Sequence, residues 1–235
     1  MSSEAERVSV SVSVSVSAVF FDLDGTLLDT AQDFAHAINL MLKEKNKPPV
    51  DFDSFRKHIH GDSKKMVSFA FDIAQTHPEF DIIRDEFLGT YHQHSTKKTV
   101  FFPGILALLN HLDAQKIPWG IVTNKPTWLT KPIVKYFQLD QRAACVIAGD
   151  TLSTCKPDPA QLHYACQLIN ISPKQAIYVG DMETDIIAAK NAGMKSMAVT
   201  FGYHPPDAHI PDWKADYIAN NAEDIVKQVS LFFAK

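Results

Sequence analysis

Ala18-Val19-Phe20-Phe21-Asp22-Leu23-Asp24-Gly25-Thr26-Leu27-Leu28-Asp29-Thr30 begins as an apolar run of β-branched and aromatic residues and ends in two carboxylates, a glycine and a hydroxyl. The run reads as a buried parallel strand. Open α/β sheets bind their ligands at the carboxyl ends of such strands. Alternation along an extended chain directs Asp22 and Asp24 to one side, and like charges that close call for a cation or a shared proton between them. A hairpin at Asp24-Gly25 would need an alternating return strand, and Thr26-Leu27-Leu28 begins none. A calcium loop of the EF-hand type needs glycine at its sixth position and glutamate at its twelfth. Counted from Asp22, Gly25 is fourth and Asp33 is twelfth. A catalytic or metal-binding role is the stronger reading.

The 235 residues suffice for one α/β core plus a smaller inserted unit. A net charge of −4 leaves no electrostatic footprint for nucleic acid, and no run reaches the roughly 18 apolar residues of a membrane span. Cys145, Cys155 and Cys166 are odd in number and form no Cys-x-x-Cys pair. They are expected to be structural, in a reducing, cytoplasmic setting. Val8 to Ser17 alternates valine and serine, which fits either an extended strand or a low-complexity, disordered tail. It lacks a basic leader and a continuous apolar stretch, so a secretory signal is not expected.

After Thr30 the period changes from strand to helix. Ala31, Phe34, Ala35, Ile38 and Leu42 form one stripe, Met66, Phe69, Ala70 and Ile73 a second, and Phe80, Ile83, Phe87 and Tyr91 a third. No strand is read between Ala31 and Lys98, so residues 31–98 are expected to form an inserted helical domain. Residues 15–30 and 99–235 are expected to form the α/β core, with residues 1–14 a tail outside it. Within the core, helices are read at Pro103 to about Gln115, Trp128 to Phe137, Pro159 to Ile169, Asp185 to Ala192 and Ala222 to Phe233. Strands are read at Trp119 to Thr123, Cys145 to Ala148, Ala176 to Gly180 and Ser196 to Thr200. Such alternation implies a parallel sheet with right-handed crossovers.

Three further stretches place polar groups after an apolar run or before a proline-started helix. Gly120-Ile121-Val122-Thr123-Asn124-Lys125 ends in a hydroxyl and an amide, a pair that taken alone is usually a turn. In Lys156-Pro157-Asp158-Pro159 the proline holds the chain extended, which can aim Lys156 inward at an anion. Ile177-Tyr178-Val179-Gly180-Asp181-Met182-Glu183-Thr184-Asp185 ends a strand in Asp181 and puts Asp185 on the first turn of a helix. That spacing can bring both carboxylates to one cation. His58-His60 and His92-His94 are each two apart, a poor metal pair on a helix, and are read as surface or packing residues.

Taken in order, these four stretches resemble the four motifs of the haloacid dehalogenase superfamily of phosphohydrolases, from about Val16 to the carboxyl terminus. The resemblance implies a doubly wound parallel α/β sheet of Rossmann type with a helical cap, and Mg²⁺-dependent hydrolysis of a phosphomonoester. By the same resemblance Asp22 is the nucleophile and Asp24 the general acid and base. Thr123, Asn124 and Lys156 bind phosphate, and Asp22, Asp181, Asp185 and the Asp24 carbonyl surround Mg²⁺. The physics agrees, since phosphoryl transfer is largely positioning plus neutralisation of oxygen charge.

Val122 to Pro126, Gly149-Asp150 and Phe201-Gly202-Tyr203 are similar to the phosphoglycolate phosphatase branch. Pro118 to Ile121 and His204 to Ile218 are similar to the bacterial N-acetylmuramic acid 6-phosphate phosphatases of cell-wall recycling. The substrate implied is a small phosphorylated metabolite, held by a monomer or homodimer with no nucleic-acid or membrane partner. In the insert, the turn His60-Gly61-Asp62-Ser63 precedes a helix, so Gly61, Ser63 and Lys64 are candidates for meeting an anionic substrate. A dehalogenase would need neither Asp24 nor a metal, and a phosphate-binding protein without turnover would not need Asp24.

Overall fold

The computed structural model describes residues 16–60 and 62–233. The tail of residues 1–14 lies outside them. The chain opens with β1 (Ala18–Phe21) and the short β2 (Leu28–Asp29). Four helices follow: α1 (Ala31–Glu44), α2 (Phe52–Arg56), α3 (Ser63–Phe71) and α4 (Phe80–His94). β3 (Val100–Phe101) then returns antiparallel to β2, pairing Leu28 with Phe101 and Asp29 with Val100.

The alternation resumes with α5 (Ile105–Ala114), β4 (Trp119–Val122), α6 (Thr127–Tyr136), β5 (Val146–Ile147) and α7 (Ala160–Leu168). It ends with β6 (Ala176–Gly180), α8 (Glu183–Ala192), β7 (Lys195–Val199), β8 (Tyr217–Ala219) and α9 (Ala222–Phe233).

Six strands form one parallel sheet in the order β5-β4-β1-β6-β7-β8. The chain builds outward from β1 through β4 to β5, then crosses back to β6 on the other side of β1. The order therefore reverses between β1 and β6, and the crevice beyond their carboxyl ends is where a doubly wound sheet takes its ligand. Every residue of β1 is fully buried, because both faces of the sheet are covered. Val19 and Phe21 point into one apolar cluster while Ala18 and Phe20 point into the other, as strand alternation requires. Ile177 and Val179 of β6 divide from Ala176 and Tyr178 in the same way.

The helices between β2 and β3 pack on one of these faces. Phe34, Met41, Met66, Phe80 and Phe87 belong to the same apolar cluster as Val19, Trp119 and Val179. Their attachment depends on Asp33, which is fully buried. Its carboxylate accepts from Lys98 N (2.9 Å), Thr99 N (2.9 Å) and Thr99 Oγ1 (2.7 Å). One side chain thus ties the beginning of the helical segment to its end.

Helix and strand ends differ from the sequence-based expectation by a residue or two, as at Lys195–Val199 for the strand read at Ser196 to Thr200. α2, β2, β3 and β8 were not foreseen. They run to five, two, two and three residues, too short for a periodic pattern to register. No helix among the described residues is long and apolar enough to cross a membrane.

Asp33→Ala leaves two backbone amides and a hydroxyl without their acceptor in a buried position. It should cost about 2–4 kcal/mol of stability, read by chemical denaturation. Asp33→Asn, which keeps an acceptor oxygen, should cost less.

Candidate active site

The strand ends at the switch point carry the acidic groups. β1 delivers Asp22, whose amide donates to Val179 O (2.9 Å), and β6 delivers Asp181. Asp185 follows on the first turn of α8. Oxygens of Asp22, Asp181 and Asp185 all lie within 4.8 Å of one another, and all three residues are buried. Asp181 is held by Thr26 Oγ1 (3.1 Å) and by the amide of Tyr203 (2.7 Å), and Asp185 by the amide of Met182 (2.9 Å).

The close approach depends on missing side chains. Gly25 has φ of +85°, and a Cβ there would run into the Asp181 carboxylate. A Cβ at Gly202 would strike Asp181 from the other side. The Asp-x-Asp-Gly and Phe-Gly-Tyr sequences are therefore two walls of one carboxylate slot.

Burial raises Asp181 well above the ordinary carboxylate range, and the negative charges of Asp22 and Asp185 add to this. Burial also raises Asp185, against the opposing pull of Lys156. The Lys156 ammonium stands among these acids, 2.7 Å from Asp185 Oδ1 and 3.0 Å from Asp22 Oδ1. It also donates to Tyr178 Oη (2.6 Å) and Val122 O (3.2 Å). Burial works against its charge, but Asp185 and Asp22 together overcome that and raise its pKa above the ordinary lysine value.

One lysine does not satisfy all three acids. Asp22 Oδ1 is buried and, despite the nearby ammonium, makes no hydrogen bond of adequate geometry. Hard carboxylate oxygens with one lone pair unmet are a donor set that fits a small divalent cation such as Mg²⁺.

Asp24 is held apart from this group. Lys125 Nζ lies 3.0 Å from each of its oxygens and 2.8 Å from Tyr91 Oη of α4. The ammonium stands 5.0 Å from the Phe34 ring centroid and 4.6 Å from that of Tyr91, a cation–π arrangement. Burial lowers the Lys125 pKa, with the Asp24 carboxylate opposing. Lys125 was not foreseen as a site residue; its only sequence signal was its place in a strand-end motif.

Of the three phosphate-site candidates, Thr123 is buried at the end of β4 and lines the cavity. Asn124 also lines the cavity, and its side chain is paired with the next motif: its Nδ2 donates to Lys156 O (2.9 Å) and its Oδ1 accepts from Lys156 N (3.0 Å). Asn124 therefore positions the Lys156 loop, which contains a cis Lys156–Pro157 peptide.

A cavity of about 400 Å³ lies over Asp22, Asp24, Asp181 and Thr123 and extends to Ser63, Met66 and Arg84 of the helical segment. Of the turn candidates, Ser63 lines it, Lys64 does not, and Gly61 lies outside the described residues. Arg84 was missed by the sequence reading. Its signal was a lone charge on the apolar stripe of α4, four residues after Phe80 and three before Phe87.

Other readings divide. Cys145 and Cys166 are buried, as a structural role requires, but Cys155 is exposed and lines the cavity. His58 stacks on Phe69 and His94 packs edge-on against His36, whereas His60 faces the cavity.

The haloacid dehalogenase-like hydrolase family matches residues 19–199. The N-acetylmuramic acid 6-phosphate phosphatase of Pseudomonas putida is 36% identical over 212 residues, 90% of this chain and 95% of its own. The phosphoglycolate phosphatase of Xanthomonas campestris is 38% identical over 201 residues, 86% of this chain and 90% of its own. The crystal structure of a predicted phosphoglycolate phosphatase from Haemophilus somnus superposes with a TM-score of 0.80 at 32% identity, covering 91% of this chain and 97% of that one.

Removing the cation from among the acids should be costly. Lys156→Met leaves buried carboxylates without their partner and should lower stability by about 3–5 kcal/mol in metal-free buffer. Urea denaturation measures it, and a loss below about 1 kcal/mol would mean that the acids repel far less than their burial implies.

Proposed function

The chain belongs to the haloacid dehalogenase-like hydrolases and is a phosphatase, and we propose that it hydrolyses a phosphomonoester through an aspartyl-phosphate on Asp22, with Mg²⁺ as cofactor. The observation that carries this reading is the meeting of Asp22, Asp181 and Asp185 within 4.8 Å at the switch point, beside a separately held Asp24. Asp22 attacks phosphorus and the bond to the alcohol oxygen breaks. Asp24 delivers a proton to that oxygen as it leaves. In the second half Asp24 takes a proton from water, the hydroxyl adds to phosphorus, and Asp22 departs with phosphate released.

Thr123, Lys156 and the backbone amide of Asn124 meet the phosphoryl oxygens, while the Asn124 side chain holds the Lys156 backbone. Asp22, Asp181, Asp185 and the Asp24 carbonyl would hold Mg²⁺, which supplies charge neutralisation at the phosphoryl oxygens. The helical segment roofs the cavity and keeps bulk water from the aspartyl-phosphate.

Among substrates we favour N-acetylmuramic acid 6-phosphate, in a cytoplasmic enzyme. A cavity of about 400 Å³ has room for a sugar phosphate, and a relative similar along nearly its whole length carries that name. Phosphoglycolate is the second reading, favoured by a relative of comparable similarity.

Asp22→Asn keeps the size of the nucleophile and removes its charge. It should lower kcat by about a thousandfold or more, and mass spectrometry of quenched wild-type enzyme should find the phosphoryl group on Asp22. A chelator should abolish turnover and Mg²⁺ restore it. Substantial activity in Asp22→Asn would overturn the mechanism. A kcat/KM about tenfold higher for phosphoglycolate would make it the substrate.

A further inference from the structure

α4 buries Phe80, Phe87 and Tyr91, and Arg84 stands on the same face. Arg84 is half-buried there, and a charge drawn partly out of water favours a partner. Arg56 has Asp29 at 3.3 Å and Arg142 has Asp113 at 2.7 Å. Arg84, alone of the three described arginines, has no acidic partner among the described residues. Among the described residues it makes a single hydrogen bond, from Nε to Ser63 Oγ (2.7 Å). A guanidinium has five N–H donors, so its two terminal nitrogens are left to the cavity that it lines.

The surroundings are built for the same charge. Ser63 is buried, and having accepted from Arg84 it still has its own hydroxyl proton to donate. Asp62 also borders the cavity, but its Oδ1 is taken up by the amides of Lys64 (2.9 Å) and Lys65 (3.2 Å) at the start of α3. Glu86, two residues along α4, is paired with Lys45 at 2.9 Å.

We propose that Arg84, with Ser63, is the subsite for a carboxylate on the organic part of the substrate. The phosphoryl group belongs at Asp22, so what reaches Arg84 is the alcohol portion of the ester. A planar acid there takes both free guanidinium nitrogens at once, a fork-to-fork match that a hydroxyl or an amide does not make. The subsite deepens the phosphatase reading and rests on it: the enzyme selects phosphate esters that carry an acid. The turn before α3 offers Ser63, Gly61 and Lys64 for this task in the sequence; in the fold Ser63 shares it with a residue from a different helix.

The test compares esters that differ only in the acid. N-acetylmuramic acid 6-phosphate and N-acetylglucosamine 6-phosphate differ by the lactyl group, and p-nitrophenyl phosphate serves as a control whose alcohol portion carries no carboxylate. Wild-type enzyme should prefer the lactyl ester. Arg84→Gln should lower kcat/KM for it about 100-fold, mainly through KM, and change p-nitrophenyl phosphate hydrolysis less than about threefold. Arg84→Lys should recover only part of the loss, because an ammonium lacks the fork.

Equal losses on all esters, or a wild-type enzyme indifferent to the lactyl acid, would overturn the proposal while leaving the phosphatase reading in place. Failure of wild-type enzyme to hydrolyse any ester with Mg²⁺ would instead defeat the activity. Calorimetry with phosphate-free N-acetylmuramic acid then decides the subsite by itself: binding lost in Arg84→Gln supports it, and binding unchanged in a variant of normal melting temperature refutes it.

Discussion

Three buried carboxylates, two of them paired with one lysine ammonium, are the arrangement that everything else in this molecule serves. Asp22, Asp181 and Asp185 would repel one another apart if the chain were free to let them, and dry surroundings make the repulsion worse. Several features resist it together. Parallel pairing of β1 with β6 fixes where the first two acids emerge, and glycines at 25 and 202 let backbone close on Asp181 without side chains between. Lys156 is brought in from a third segment by the clasp of the Asn124 side chain. The sheet is thus a frame in which an unfavourable charge cluster persists because its neighbours leave it no way to relax.

Core and helical segment meet at charged contacts as well as apolar ones. Lys125 joins Asp24 on the core side to Tyr91 on the other, so Asp24 is held partly by α4. Tyr203 makes a second connection. Its amide holds Asp181, while its hydroxyl donates to Asp29 (2.7 Å) and accepts from the amides of Thr30 (2.6 Å) and Ala31 (3.0 Å). The same residue thus braces an acid of the cluster and the point where the helical segment begins.

Much of this was legible in the amino-acid order because the motifs are continuous. An apolar run that stops at Asp22, and another that stops at Asp181, announce strand, strand end and chemistry within a dozen letters, and the alternation of Val19 and Phe21 against Ala18 and Phe20 is local too. What stayed hidden depends on residues far apart in the chain. Asp33 finds its amides at Lys98 and Thr99, and nothing near Asp33 foretells them. β2 and β3 are strands only because they find each other. The pairing of the Asn124 side chain with the Lys156 backbone is a tertiary fact of the same kind. Lys125 stands in a strand-end motif with nothing local to give it a role, and Arg84 is a lone charge in an apolar stripe whose cavity is formed only by the fold.

Arg84 and Tyr91 stand on one face of α4, seven residues apart. At about 1.5 Å of rise per residue this is a span of roughly 10 Å, just under two turns. Tyr91 reaches Asp24 through Lys125 and Arg84 lines the cavity, so the helix acts as a gauge block set between the two. The interval is held by backbone hydrogen bonds, not by a flexible loop, and it changes only in steps. A single residue inserted between positions 84 and 91 would turn one end about 100° away from the cavity. The separation of these two contacts is therefore a quantity counted in helical turns.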